Sequence, residues 1–144
     1  MVAYATTTGH VGQEHMNTLQ DPVQRALGRG HVIDITTTGR RTGQPRRIEI
    51  VFHNIDGHIY ISGTPNPRRT RDWLLNLVAD PRMTLHLKGT VHADLPSTAR
   101  VVTDPAERQR VFDWIVQHAW RSMNVDAMQR WSPLIEVSPE GLAA

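Results

Sequence analysis

Seven arginines lie between residues 40 and 71: Arg40, Arg41, Arg46 and Arg47, then Arg68, Arg69 and Arg71. Only Glu49 and Asp56 offset them in that span. The first four sit in TTTGRRTGQPRR, residues 36–47, where Gly39 and Gly43 frame the leading pair. Arginine in place of lysine indicates forked recognition of phosphate or carboxylate oxygens. The glycines would let backbone amides approach an anion as a nest. Trp73 follows the second cluster closely and offers a flank for a planar ligand. If both loops leave one end of neighbouring strands, they line one pocket mouth and bind an anion there. The competing reading, a solvated basic turn, accounts for one cluster but not for two beside glycine-bearing loops.

Other chemistries find less support. The eight histidines contain no His-x-x-x-His pair and no His-Glu-x-x-His, so a metal site is not expected. His53 and His58 flank a turn and make at most a two-ligand start. No Gly-x-Ser-x-Gly elbow, Walker motif or Rossmann glycine pattern occurs. The absence of cysteine excludes a disulfide scaffold, thiolate ligands and a cysteine nucleophile. Net charge is only +2, and aromatics do not interleave with the arginines, so no nucleic-acid partner is expected. No apolar run approaches the length of a membrane span, and the N-terminus lacks a signal-peptide pattern. A cytoplasmic protein is expected, with lipid or peripheral membrane contact as a further option.

The elements that must position the arginines can be read from patterning. A chain of 144 residues suits one ordinary domain. Residues 1–30 read as an N-terminal arm, with a short helix over Met16–Leu27 that Asp21 caps and Pro22 begins. Residues 31–144 read as the single domain. His31–Thr38 is β-branched and forms a strand. Arg47–Phe52 alternates, with Ile48, Ile50 and Phe52 on one face, and Asp56-Gly57 turns the chain back into the strand His58–Ser62. Arg71–Ala79 has helical spacing and stops at Asp80-Pro81. Arg82–Lys88 and Val91–Val102 form a second hairpin, bent near Pro96. Asp104-Pro105-Ala106-Glu107 starts a helix with an N-cap, a first-turn proline and a capping-box glutamate. A short helix over Val125–Trp131 and a strand over Leu134–Val137 complete the order. Sequential strands with few helices predict the α+β class, as an antiparallel sheet closed into a small barrel.

TTTGRRTGQPRR, a hairpin turning on Asp-Gly, YISGTPNPRR and DWLLNLVADPRMTLHLKG together resemble the deazaflavin-dependent nitroreductase family. The resemblance covers about residues 31–137 and implies an antiparallel split β-barrel that binds coenzyme F420, with flavin mononucleotide the lesser option. The F420 tail carries a phosphodiester and oligoglutamate, a polyanion that would explain the arginine turn. By resemblance, Arg40, Arg41, Thr42, Gly43, Arg46 and Arg47 meet that tail, and Arg68 and Arg69 join the cofactor site. Ser62 and Gly63 lie against the deazaflavin ring, and Trp73 and Asn76 match the helix that follows.

What the resemblance implies is hydride transfer from reduced F420 to a small-molecule acceptor: a quinone, an enone or a nitro compound. No dedicated catalytic residue is assigned, and the proton comes from water, Ser62 or Tyr60. Relatives use C-terminal tyrosines to line the substrate side, whereas this chain has only Tyr4 and Tyr60. Nitroaromatics are therefore expected to be the poorest acceptors, and Trp114, Trp120 and Trp131 are candidates for an apolar substrate wall. A fatty-acid or amphiphile carrier on the same barrel is the alternative function. Monomer and homodimer are both compatible with the sequence.

Overall fold

The computed structural model describes residues 21–141. Six strands close an antiparallel barrel: β1 (Val32–Thr38), β2 (Pro45–Ile55), β3 (His58–Ser62), β4 (Arg82–Lys88), β5 (His92–Val101) and β6 (Leu134–Pro139). Around the barrel they run β1-β2-β3-β6-β5-β4, and β4 pairs with β1 to complete the circuit. Among the described residues four helical segments accompany them: α1 (residues 21–27), α2 (Asp72–Ala79), α3 (Pro105–His118) and α4 (Val125–Trp131).

Alternation along the strands decides what fills the barrel. Ile33 and Ile35 of β1, Phe52 of β2, Ile61 of β3, Leu85 of β4 and Ile135 of β6 are fully buried in one interior cluster. Burying a large apolar side chain stabilises by about 1.5–3 kcal/mol, so this cluster anchors the fold. Leu27, at the end of α1, joins it, with Val23 and Ala26 packed alongside. Its carbonyl accepts a hydrogen bond from Asn54 Nδ2 at 2.7 Å. The last ten residues of the expected arm are thus partly helical and seated on the barrel, because Leu27 has apolar surface to bury. The start of the expected Met16–Leu27 helix lies outside the described residues, as does most of the arm.

A second cluster forms on the outer wall. Val111, Phe112 and Ile115 of α3 and Met128 of α4 cover Ile55, Tyr60 and Leu134. Asp104 caps α3, its Oδ2 accepting from the Glu107 N–H at 2.9 Å. The glutamate does not complete the capping box. Its carboxylate accepts instead from Arg100 and from the Tyr60 hydroxyl, and the Arg100 guanidinium is the main cause that holds its pKa down. Burial and that hydrogen bond push the Tyr60 phenol up. Under this helical cover His53 is 4% exposed, with its ring edge-on to Trp120 at 5.0 Å and Trp114 at 6.4 Å. Its Nε2 has no partner among the described residues.

The hairpin turn follows its chemistry: Asp56 and Gly57 both have positive φ, 52° and 86°, as a tight two-residue turn requires. β5 runs unbroken through Pro96, which lies one residue before the β6-paired stretch begins at Ser97. No helix among the described residues is long and apolar enough to cross a membrane.

Candidate cofactor site

Because β1 and β3 both run antiparallel to β2, the β1–β2 turn and the loop after β3 emerge at the same end of the barrel. The arginines they carry surround α2. Two cavities result, one on each side of the first turn of this helix, rather than the single mouth expected.

The first cavity, about 400 Å³, is lined by Arg40, Arg41, Thr42, Arg46, Trp73 and Asn76, with Thr37, Gly39, Ile48 and Asp72. The period of β2 explains why Arg46 reaches it. Arg46 shares a strand face with Ile48, Ile50 and Phe52, which point into the barrel, so it stands at the open rim. Arg47 points the other way. Its Nε donates to Asp34 Oδ2 at 2.9 Å, and Asp34 also accepts from Lys88 Nζ at 2.7 Å. Those two bonds, Lys88 first, hold the Asp34 carboxyl below its ordinary range. Arg47 is therefore a partner in an outer-face ion cluster and lies outside the cavity, contrary to the sequence expectation.

Asn76 organises the turn. It is 4% exposed, and its Oδ1 accepts from both the backbone N–H of Arg40 (3.1 Å) and Arg40 Nη1 (3.0 Å). Its Nδ2 donates to Thr37 Oγ1 at 3.1 Å. One amide thus ties α2 to β1 and to the arginine turn. Replacing Asn76 by alanine orphans Arg40 and Thr37 together. A loss of about 2 kcal/mol in unfolding free energy is expected, measured in urea.

The remaining arginines divide by their partners. Arg40 Nη2 approaches Asp72 Oδ1 at 3.4 Å, so its charge is partly answered. Arg41 and Arg46 meet no carboxylate among the described residues. The expected amide nest does not form, because the turn uses its own glycine amides. Gly39 N–H donates to the Gln44 carbonyl and Gly43 N–H to the Gly39 carbonyl, both at 2.8 Å. A Cβ on Gly39 would come within 2.9 Å of Thr42 Oγ1, so glycine is what lets this turn fold so tightly. Gly43 faces a neighbouring hollow beside Arg82 and Thr84. The glycine amides are therefore not free for an anion, and the guanidinium groups are the charged donors that line the first cavity.

The second cavity, about 350 Å³, lies between the loop after β3 and the end of α4. Arg68 and Arg69, expected in the cofactor site, line this cavity with Arg71, Arg130, Trp131 and Ser132. The Asn66 N–H donates to the Trp131 carbonyl at 3.3 Å and fastens the two walls. Ser62 and Gly63 support this side from behind. Ser62 is 2% exposed and donates its hydroxyl to the Pro133 carbonyl at 2.6 Å. A Cβ on Gly63 would fall 2.8 Å from Arg71 Nη2, so the guanidinium lies flat against this glycine. Arg71 belongs to the second arginine cluster of the sequence, whereas Arg130 and Ser132 were not anticipated as site residues. The signal missed is the β3–β6 pairing of Ser62 with Leu134, which carries the Arg130–Pro133 segment to the end of β3.

The tryptophans separate. Trp73 is 8% exposed, belongs to the barrel cluster and forms a wall of the first cavity. Trp131 is 47% exposed at the second. Trp114 and Trp120 pack around His53 and line neither arginine cavity. His58 is exposed and pairs with Glu136 at 2.7 Å, so His53 and His58 do not meet. Among the described residues no group of histidines and carboxylates is disposed to hold a metal.

A family model described as F420H2-dependent quinone reductase matches residues 10–135, most of the chain. The chain belongs to the F420H2-dependent quinone reductase family. It is an F420-dependent oxidoreductase, and coenzyme F420 is its cofactor. Solved structures share the family's barrel. An F420-H2 dependent reductase is similar at a TM-score of 0.57 and 19% identity, covering 74% of this chain and 93% of that one. A conserved hypothetical protein from Mycobacterium tuberculosis is similar at 0.64 and 18% identity, covering 84% and 80%. The heme storage protein of Vibrio cholerae is similar at 0.62 and 12% identity, covering 86% and 92%. These likenesses concern the fold.

Proposed function

We propose that this F420-dependent reductase acts on a planar, electron-poor acceptor of the quinone type, with enones next and nitroaromatics poorest. The observation that carries the site assignment is the first cavity: Arg41 of the turn locked by Asn76 and Arg46 at the start of β2, both free of carboxylates among the described residues, line it with Trp73. These residues fit a cofactor whose tail is a phosphodiester and oligoglutamate. Arg41 and Arg46 hold its oxygens, Arg40 and Thr42 flank them, and Trp73 limits the cavity floor. When bound, reduced F420 supplies a hydride and gives up one proton, and the acceptor gains both and is reduced by two electrons.

The protein's part is binding, orientation and exclusion of water. Tyr60 is removed as a proton source, since it donates to Glu107 beneath α3 at 3.0 Å and lines neither cavity. The Ser62 hydroxyl is engaged by the Pro133 carbonyl. Water entering from the open rim is then the proton carrier. The amphiphile-carrier reading has less support, because the barrel interior is filled by the side chains of its own strands.

The test combines titration with turnover. Purified protein is titrated with F420 and, separately, with a fatty acid, and reduced F420 is then supplied with quinones, enones and nitroaromatics. Tight F420 binding with quinone-dependent oxidation faster than the uncatalysed rate is expected. Deuterium at the transferred position should slow the reaction where hydride transfer limits it. Fatty-acid binding without F420 affinity would overturn the proposal.

A further inference from the structure

The second cavity has more positive charge than its surroundings answer. Arg68, Arg69, Arg71 and Arg130 line it, and no carboxylate does. Of these four only Arg69 meets an acid among the described residues, Asp72 at 3.0 Å, and both are largely exposed. Some arginines elsewhere are paired, Arg47 with Asp34, Arg82 with Asp80 and Arg100 with Glu107 and Glu136, so charge without an answering acid gathers at this hollow as it does at Arg41 and Arg46. Among the described residues two buried donors are unsatisfied as well. Arg71 Nη1 has no partner, although its Nη2 donates to Thr64 Oγ1 at 3.1 Å. Ser132, 6% exposed, has a buried hydroxyl without a partner, while its carbonyl accepts from Arg108 Nη2 at 2.9 Å. The main chain at Ser132 is therefore fixed and its hydroxyl is free.

Buried polar atoms are almost always hydrogen-bonded. Four like charges around one hollow also repel one another. An anion with acceptor oxygens would relieve both conditions. The rest of the lining offers apolar surface: Trp131 is half-exposed, and Leu74 and Pro67 line the same cavity.

We infer that the second cavity is a recognition subsite for an acceptor that carries a carboxylate on a planar aromatic or quinonoid ring. Arg71 Nη1 and Ser132 Oγ meet the carboxylate from within, Arg68 and Arg130 close on it from the rim, and Trp131 lies along the ring. The inference rests on the placement of the cofactor tail in the first cavity. Asp72 joins the two sides, bonding Arg40 on one and Arg69 on the other, so the bound acceptor lies next to the tail site. The carboxylate takes no part in the redox step.

The probes are a naphthoquinone carboxylate and its methyl ester. Calorimetric titration of the cofactor-free protein should show the acid binding about tenfold or more tightly than the ester. That gap should narrow as salt rises. In turnover it should appear in KM and not in kcat. Arg68→Gln with Arg130→Gln should close the gap while F420 affinity stays within about twofold, and Ser132→Ala should shrink it. Arg41→Gln with Arg46→Gln should do the reverse. Equal binding of acid and ester overturns the subsite. It is also overturned if the Arg68 and Arg130 changes weaken F420 as strongly as those at Arg41 and Arg46, since the cavity would then hold the cofactor tail. Failure of the wild-type protein to bind F420 would sink the function proposed above, whereas the acid–ester gap, measured without cofactor, decides the subsite alone.

Discussion

Arg41→Gln combined with Arg46→Gln is expected to weaken F420 binding by about a hundredfold or more, with little change in unfolding free energy. Hydrogen bonds to charged groups contribute about 1.5–3 kcal/mol each, on the order of tenfold to a hundredfold in affinity. These two guanidinium groups have no carboxylate among the described residues, so removing them leaves no buried acid unpaired. Arg40 is a poorer choice, because its guanidinium also bonds Asn76 and Asp72 and its loss mixes binding with stability. Fluorescence titration at two salt concentrations, alongside urea unfolding, checks both halves of the expectation. Wild-type affinity should fall with salt, and the double variant should show a shallower dependence because fewer exposed charges take part. An unchanged dissociation constant in a folded variant would remove the tail from the first cavity.

Acid should destabilise the protein through His53. Burial between the tryptophans depresses its pKa from 6.5 to about 4. The unfolded chain takes up this proton near pH 6.5, and the folded protein only near pH 4. The contribution to stability is therefore complete above about pH 7, declines as pH falls through 6.5, and has been lost by about pH 4. Its full size is about 3 kcal/mol, of which about 2 kcal/mol disappears between pH 7.5 and 5. Carboxylates with depressed pKa values, Glu107 and Asp34 among them, lose their contributions at lower pH, so the upper window belongs mainly to the histidine. Urea unfolding at pH 7.5 and 5 should show the decline in the wild type and a much flatter response in His53→Leu. Equal slopes in the two proteins would mean that His53 is not held neutral.

The barrel was legible because its signals are local. Asp-Gly turned the first hairpin, β-branched runs marked strands, and Asp104-Pro105 began α3 where it was expected. The site was legible only in part, for a physical reason. Residue type shows that a guanidinium can bind an anion, but strand parity and partners decide which ones are free to do so. Parity was available in the alternation of Ile48, Ile50 and Phe52, and it would have placed Arg46 inward and Arg47 outward. The partners were not. Asp34 is thirteen residues from Arg47, Asn76 is thirty-six from Arg40, and Ser62 meets the segment before β6 only through a long-range pairing. Glycine invited a nest at Gly39 and Gly43, yet the turn needed those amides for itself.

One strand of the barrel is shared unevenly. The first seven residues of β2, Pro45–Val51, pair with β1, and only Phe52–Ile55 pair with β3. Among the described residues, one side of the leading half of β2 is thus an open edge. Such an edge is a template on which a second chain can add a strand. Pro45 removes a donor there, and Arg46, Arg47 and Glu49 put charge along it. Charge on such an edge disfavours strand addition in general, so these residues bear on self-association as well as on anion binding. Exchanging these residues for apolar β-branched ones would trade solubility for self-association, so glutamine is the safer replacement wherever their charge is tested.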